Sequence, residues 1–245
     1  LGTEALALGS TIEGIEVSLP AVPSEHTIVS AQRSDPTAEI KLDVVFPIIH
    51  GRGGEDGSLQ GLLEMAGVAY VGSGVLGSAL QMDKEVSKRL LHAAGLPVTP
   101  WICVRAAQLR ADPERVASKV LKEIGLPMFV KPANQGSSIG ISRVGKSAEL
   151  IPALTHAARF DTKLLAERGI DAREIEVALL GDDPIEASVP GEIRTSREFY
   201  DYEAKYQDND TELLIPAPLD DEQTAEVRRL AIEATRVPER TGLAR

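Results

Sequence analysis

The sequence predicts a protein of the α/β and α+β class in three units. An N-terminal βαβ domain is expected over residues 1–77, and two α+β units over 78–170 and 171–245, the last of them cut short. Three observations carry this. The stretch from Leu42 to Val71 reads as strand, glycine-rich loop, helix and strand, which is a βαβ unit. Strands and amphipathic helices then alternate as far as Glu167. Beyond Glu174, hairpin-like strands lead into one long amphipathic helix.

Element by element, residues 1–40 are weakly patterned, with Pro20, Pro23 and Pro36, and read as strand fragments and loop. Leu42 to Ile49 is a continuous apolar run, the mark of a buried strand. His50 to Gly57 is a glycine-rich loop, Ser58 to Ala66 a short helix, and Val68 to Val71 a strand. From Ser78 to Ala94, Leu80, Met82, Val86, Leu90, Leu91 and Ala94 recur at helical spacing, and Gly95 and Pro97 end that helix. Pro100 to Val104 is a strand. Asp112 caps, and Pro113 opens, a helix that runs to Ile124 and stops at Gly125. Pro127 to Lys131 is a strand and Ile141 to Val144 its hairpin partner, so Ala133 to Gly140 is a flexible connection. Ser147 caps a helix to about Phe160. Strands follow at Lys163 to Glu167 and Glu174 to Leu180. After a turn at Gly181 to Pro184, Ile185 to Ile193 pairs back as a hairpin. Arg194 to Asp210 is polar and aromatic-rich, and too long to be only a connector. Asp220 to Val237 is helical.

Composition narrows the function classes. The chain has 245 residues and a net charge of -11, so it has no electrostatic reason to bind nucleic acid or an anionic membrane. A bound phosphate must be held by a local cluster of cations and backbone N–H groups. Cys103 is the single cysteine, which excludes an internal disulfide and fits a reducing compartment. It sits in an apolar run and reads as a core residue. No apolar stretch approaches the roughly 20 residues of a membrane span, and no signal peptide opens the chain, so the expected location is the cytoplasm. The chain does not begin with Met and reads as a piece of a longer protein.

The residues that carry chemistry begin with Lys131, at the end of an apolar strand and followed by Pro132. Behind it comes Asn134-Gln135-Gly136-Ser137-Ser138-Ile139-Gly140. Glycines let backbone N–H groups approach an anion, and Ser137 and Ser138 add hydroxyl donors. The lysine precedes the loop, so this is not the Walker pattern. Alone, the segment could be a β-hairpin with a surface lysine. Lys84 and Lys205 stand in two other segments, and three lysines could converge on a triphosphate. Glu167 ends one strand and Glu174 begins the next, where they could accept from an adenine amino group and ribose hydroxyls; surface glutamates at strand ends are the plain alternative. His50 precedes a loop rich in glycine that opens a helix, the place where α/β folds put ligands.

These segments resemble D-alanine–D-alanine ligase, a member of the ATP-grasp fold group. The resemblance is carried by residues 50–61, Met82-Asp83-Lys84, Val130-Lys131-Pro132 with Gly136 to Gly140, Arg173-Glu174, Gly191-Glu192-Ile193, and Phe199-Tyr200-Asp201-Tyr202-Glu203-Ala204-Lys205-Tyr206. It implies an ATP-grasp architecture in which the two α+β units clamp ATP. It implies an ATP-dependent ligase that joins two D-alanines through an acyl phosphate, for peptidoglycan precursor synthesis. Lys84, Lys131 and Lys205 would hold phosphates, with Ser138 among the ATP contacts. Glu167 would reach the adenine and Glu174 the ribose, while the backbone at Arg168 and Ile170 flanks the base. His50 would lie near the first D-alanine. Ser137 and Tyr206 would help close the active-site loops, and Arg245 matches an arginine that stabilises the developing oxyanion. Cofactors would be ATP with Mg2+ or Mn2+, and the protein would be a homodimer.

Two departures bear on this. Glu16-Val17-Ser18-Leu19 superficially matches a family segment that grips the first substrate. Too few residues separate Leu19 from Asp43 for the elements that should intervene, so the segment is read as late connection. The family's metal ligands follow the arginine that matches Arg245, so none is expected in this chain, and the 245-residue piece alone is expected to show little or no activity. The alternatives are a D-alanine–D-lactate or D-alanine–D-serine ligase, and a non-catalytic nucleotide-binding fragment.

Overall fold

The computed structural model describes residues 17–21, 27–30, 39–194 and 212–244. Strands β1 (Val17–Ser18), β2 (Thr27–Ser30) and β3 (Glu39–Lys41) form an antiparallel ladder in that order. Next, β4 (Val44–Val45) and β5 (Ala69–Tyr70) run parallel, with helix α1 (Ser58–Ala66) between them, which is the expected βαβ unit. Leu63, Ala66 and Val68 form its core, with Leu42, Val45 and Tyr70 packed on them. The strand expected over 42–49 is only two residues long, and Val44, Phe46, Ile48 and Ile49 are exposed. Burial of an apolar strand needs neighbours on both edges. Among the described residues, β4 has β5 alone as its strand partner.

The helix expected over 78–94 is two helices, α2 (Val75–Met82) and α3 (Lys84–Ala93). Asp83 ends the first and caps the second. Its backbone is extended, and its Oδ1 accepts from the N–H groups of Glu85 and Val86 at 3.2 and 3.1 Å. One non-helical residue barely shifts the apolar period, so the break does not show in the pattern. The consequence is functional, because Lys84 becomes the first residue of a helix.

The central unit is a four-stranded antiparallel sheet. Its strands are β6 (Trp101–Arg105), β7 (Met128–Pro132), β8 (Ser142–Val144) and β9 (Lys163–Arg168), in the order β6-β9-β7-β8. Register divides its residues between two faces. Ile102, Val104, Met128, Val130, Leu164 and Ala166 share one face and are buried with α4 (Ala106–Ala111), α5 (Pro113–Ile124) and α6 (Leu150–Ala157) in one apolar core. Asp112 caps α5, its Oδ1 accepting from Arg115 N–H at 3.0 Å, as the sequence predicts. Ser147 is not a helix cap; it opens a short 3-10 turn, Ser147–Glu149, that leads into α6. Glu149 takes the local capping role, accepting from Gly145 and Lys146 N–H.

The opposite face of the sheet carries Trp101, Cys103, Phe129, Lys131, Lys163, Leu165 and Glu167, as the pairings Trp101–Glu167, Phe129–Glu167 and Lys131–Leu165 require. Helix α3 lies against this face through Lys88 and Glu85, which reach Glu167 and Lys163. The site is built there.

Beyond β9, the expected strands over 174–180 and 185–193 each split. One sheet holds β10 (Glu174–Glu176), β13 (Gly191–Arg194) and β14 (Glu212–Leu214), and another holds β12 (Glu186–Ala187), β11 (Leu179–Leu180) and β15 (Leu243–Ala244). The predicted antiparallel pairing about the 181–184 turn is present in both halves. Helix α7 (Asp221–Arg236) covers Val177, Leu179, Ile185 and Ala244 with Val227, Ala231 and Ile232. Asp220 and Gln223 close its first turn reciprocally, at 2.8 and 3.2 Å.

The chain after α7 crosses back over the βαβ unit. Arg240 Nη1 donates to Gln81 Oε1 at 3.2 Å, and Ser73 Oγ donates to Thr241 O at 3.1 Å. The fit is close: a Cβ on Gly242 would stand 2.9 Å from Gly72 O. No helix among the described residues is long and apolar enough to cross a membrane.

Candidate active site

Glu167 is the centre of the charged cluster. It is 7% exposed and receives Lys88 on Oε1 and Lys131 on Oε2. Burial pushes its carboxyl up, but Lys131 and Lys88 outweigh that and hold it below the ordinary range. Lys84 stands nearby, its ammonium donating to Gln135 O. It is pulled down to about 8, first by burial and then by the charge of Lys131. Thus Lys84, Lys131 and Glu167, drawn from three elements, do converge.

The loop behind Lys131 is held at its base. Asp161 Oδ2 accepts from both the backbone and side-chain N–H of Asn134, at 2.8 and 2.9 Å, and Gln135 Nε2 donates to Phe160 O at 3.3 Å. Lys84 N–H donates to Ala133 O at 3.1 Å, which pins the start of α3 to the same loop. Ser137 and Ser138 are left-handed, at φ 48° and 60°. Two successive non-glycine residues at positive φ are costly and turn the loop sharply. Gly136 abuts the His50 loop: a Cβ there would lie 3.4 Å from Gly51 Cα.

Lys163 supports the cluster from below. It is 8% exposed and is paired with Asp83 Oδ2, with Glu85 Oε2 at 3.5 Å. Burial favours a neutral Asp83, but Lys163 and the capped N–H groups keep it ionised. This network ties the first turn of α3 to the start of β9, and so fixes where Lys84 projects.

The His50 loop carries its own braces. Gly51 N–H donates to Glu55 Oε2 at 2.5 Å, and Asp56 accepts from Gly53 and Ser58 N–H at 2.9 and 3.0 Å. His50 is exposed and sits 3.7 Å from Glu55. It lines a cavity of about 500 Å³ with Gln60, Ser73, Gln81, Met82 and Arg240. Gln60 is buried, its Nε2 donating to Gly54 O at 2.9 Å, while its Oε1 has no partner.

A second cavity, of about 320 Å³, is lined by Phe129, Arg143, Gly169 and Ile170 at the other end of the same sheet face. Gly169 N–H donates to Pro127 O at 2.8 Å. The Arg168 side chain turns away from this cavity, donating to Ile124 O at 3.1 Å, which leaves only its backbone near the rim. Glu174 stands in β10, in the adjoining sheet. Lys205, Tyr206 and Arg245 lie outside the described residues. Among the described residues no group of three or more His, Cys, Asp or Glu is placed to hold a metal ion.

Sequence reasoning missed Lys88, Lys163 and Asp161, and gave no role to Arg173 and Glu192. Lys88 had one signal, its i+4 spacing from Lys84. Arg173 donates to both oxygens of Glu192 at 2.8 Å, and Arg194 adds a third contact at 3.2 Å. Arg173 and then Arg194 hold the Glu192 carboxyl down to about 2. This pair joins the loop before β10 to β13.

The geometry is a cluster of three lysines and a buried glutamate beside a glycine loop, on one face of the central sheet. The family described as D-ala D-ala ligase C-terminus matches residues 90–245, and D-ala D-ala ligase N-terminus matches residues 9–73. A D-alanine–D-alanine ligase from Thermoanaerobacter sp. strain X514 is 53% identical over 95% of this chain and 64% of its own length. D-alanine–D-alanine ligase A of Chromobacterium violaceum is 48% identical over 93% of this chain and 62% of its own. Among solved structures, the VanG D-Ala:D-Ser ligase from Enterococcus faecalis superposes with a TM-score of 0.80 at 31% identity, covering 96% of this chain and 66% of that one. The D-alanine–D-alanine ligase from Coxiella burnetii gives 0.78 at 30% identity, covering 99% and 62%. The chain thus spans less than two thirds of the length of the curated relatives it matches. With family matches over residues 9–73 and 90–245 and the ATP-grasp fold shared with solved ligases, the chain belongs to the D-alanine–D-alanine ligase family.

Proposed function

We propose that this chain forms the ATP-binding part of an ATP-dependent ligase that joins two D-alanines for peptidoglycan precursor synthesis in the cytoplasm. The observation that carries the proposal is the convergence of Lys84, Lys131 and Glu167 beside the 134–140 loop, with the His50 loop against Gly136. The base of the nucleotide is assigned to the rim made by Phe129 and Ile170, with Glu167 accepting from its amino group. Lys84, Lys131 and Lys205 hold the phosphates, Ser138 adds a contact, and Glu174 takes the ribose. Ser137 and Tyr206 close over the reacting groups.

In this reading the γ-phosphoryl passes to the carboxylate of the first D-alanine, near His50. The amine of the second D-alanine then displaces phosphate, and Arg245 stabilises the oxyanion. The lysines lower the cost of charge moving onto the transferred group, and the glycine loop excludes water from it. Mg2+ or Mn2+ belongs to the family reading, but among the described residues no group of three or more His, Cys, Asp or Glu is placed to hold it. A homodimer is the proposed assembly.

The curated relatives at 53% and 48% identity are D-alanine–D-alanine ligases, which supports the dipeptide product; the solved D-Ala:D-Ser and D-Ala–D-Ala ligases, at 31% and 30%, do not separate the two. The test is twofold. ATP should bind the 245-residue chain, and D-alanine should drive phosphate release when the chain is part of the full-length ligase. D-serine or D-lactate outcompeting D-alanine as second substrate would overturn the product assignment. Failure of ATP to bind would overturn the reading as a whole.

A further inference from the structure

Lys88 belongs to no motif that the sequence singles out, yet it is as firmly placed as any residue of the site. Its ammonium pairs with Glu167 Oε1, donates to Thr99 O at 3.2 Å, and lies 5.6 Å from the centre of the Trp101 ring. Trp101 is directly opposite Glu167 in the β6–β9 register, so these contacts form one patch of the sheet face. An ammonium held by a carboxylate, a carbonyl and an aromatic face has its position fixed on every side.

Lys131 holds the other oxygen of the same carboxylate. A phosphate that takes Lys131 must therefore draw its ammonium away from Glu167, which is 7% exposed. Stripping a buried carboxylate of its counter-ion is strongly unfavourable. It is far less so when a second cation remains on the other oxygen. The two lysines are not equivalent: Lys88 sits on a helix and is braced by Thr99 and Trp101, whereas Lys131 sits next to the anion-facing loop.

We propose that Lys88 is a positioning residue: it stays on Glu167 and so releases Lys131 to the phosphates of the bound nucleotide. The inference rests on the nucleotide reading of the site. Lys88 touches no phosphate itself. It keeps a counter-ion on Glu167 when Lys131 turns to the phosphates.

The test compares ligands with and without phosphates. Trp101 is the single tryptophan, and its ring lies beneath Lys88, so its fluorescence follows binding, with calorimetry as an independent measure. ATP and adenosine are titrated into the 245-residue chain and its variants. Lys88→Met should weaken ATP by about tenfold or more while changing adenosine by less than about threefold, because only the phosphates need Lys131. Lys88→Arg should keep the wild-type ratio. Adding Glu167→Gln to Lys88→Met should restore the ratio, since a neutral amide no longer retains Lys131. Equal losses for both ligands, or none, would overturn the proposal and leave Lys88 as a structural residue. A wild-type chain that binds no ATP would overturn the nucleotide reading itself, and this inference with it.

Discussion

At the scale of single residues, Lys84 is the group whose protonation matters most. Burial first, and Lys131 second, bring it down to about 8, against 10.5 in an unfolded chain. Its charge is therefore lost close to neutral pH. ATP affinity should fall as pH rises from about 7 to 9, and the Lys84→Met variant should bind weakly with little change over that range. Calorimetric titration across those pH values checks this; a wild-type affinity that is flat would contradict it. Stability runs the other way. Between about 8 and 10.5 the unfolded chain binds more protons than the folded one, so stability rises with pH there. Lys131 and Glu167 were picked out in the sequence because each ends a strand, and Lys84 by its Met82-Asp83-Lys84 context, although the sequence put it inside a continuous helix. Lys88 and Lys163 were not. Nothing in a linear sequence separates a lysine over a tryptophan from one in solvent, since the partners, Trp101 and Glu167, come from other strands.

At the scale of elements, the loop from Ala133 to Gly140 depends on its last residue. Gly140 has φ 72°, and a Cβ there would lie 2.7 Å from Phe160 Cδ2 and 2.8 Å from Pro132 Cγ. Gly140→Ala combines backbone strain with a clash against a ring and a rigid pyrrolidine. It should lower stability by about 1–3 kcal/mol, read from the midpoint of urea unfolding. A midpoint unchanged from the wild type would show that Phe160 gives way. The elements themselves were largely readable. The capped helices at Asp112 and Asp220, the hairpin of β7 with β8 and the βαβ unit all carry local signals. What escaped were breaks set by tertiary partners. Asp83 interrupts a continuous apolar period because Lys163 and two N–H groups hold it out of the helix. The split of the strands after Glu174 follows from their serving two sheets.

At the scale of the whole molecule, the last described segment returns to the end of the βαβ unit. Residues 239–242 cross residues 72–78, at contacts between positions 167 or 168 apart in sequence. No local pattern could have announced this. Replacing Ser73 and Thr241 together with cysteine should allow a cross-link here that leaves ATP binding within about threefold of the uncross-linked protein, because the crossing already joins these segments. A cross-linked chain that no longer binds ATP would show that the crossing separates during binding. The crossing also decides what encloses the cavity beside it. Arg240 and Leu243 come from the last described segment, and Gly72, Ser73 and Gln81 from the βαβ unit and the helix after it, yet all of them line the cavity that His50 lines. That cavity is therefore walled by two stretches of chain far apart in sequence, and its shape depends on the contacts of Arg240 with Gln81 and of Thr241 with Ser73.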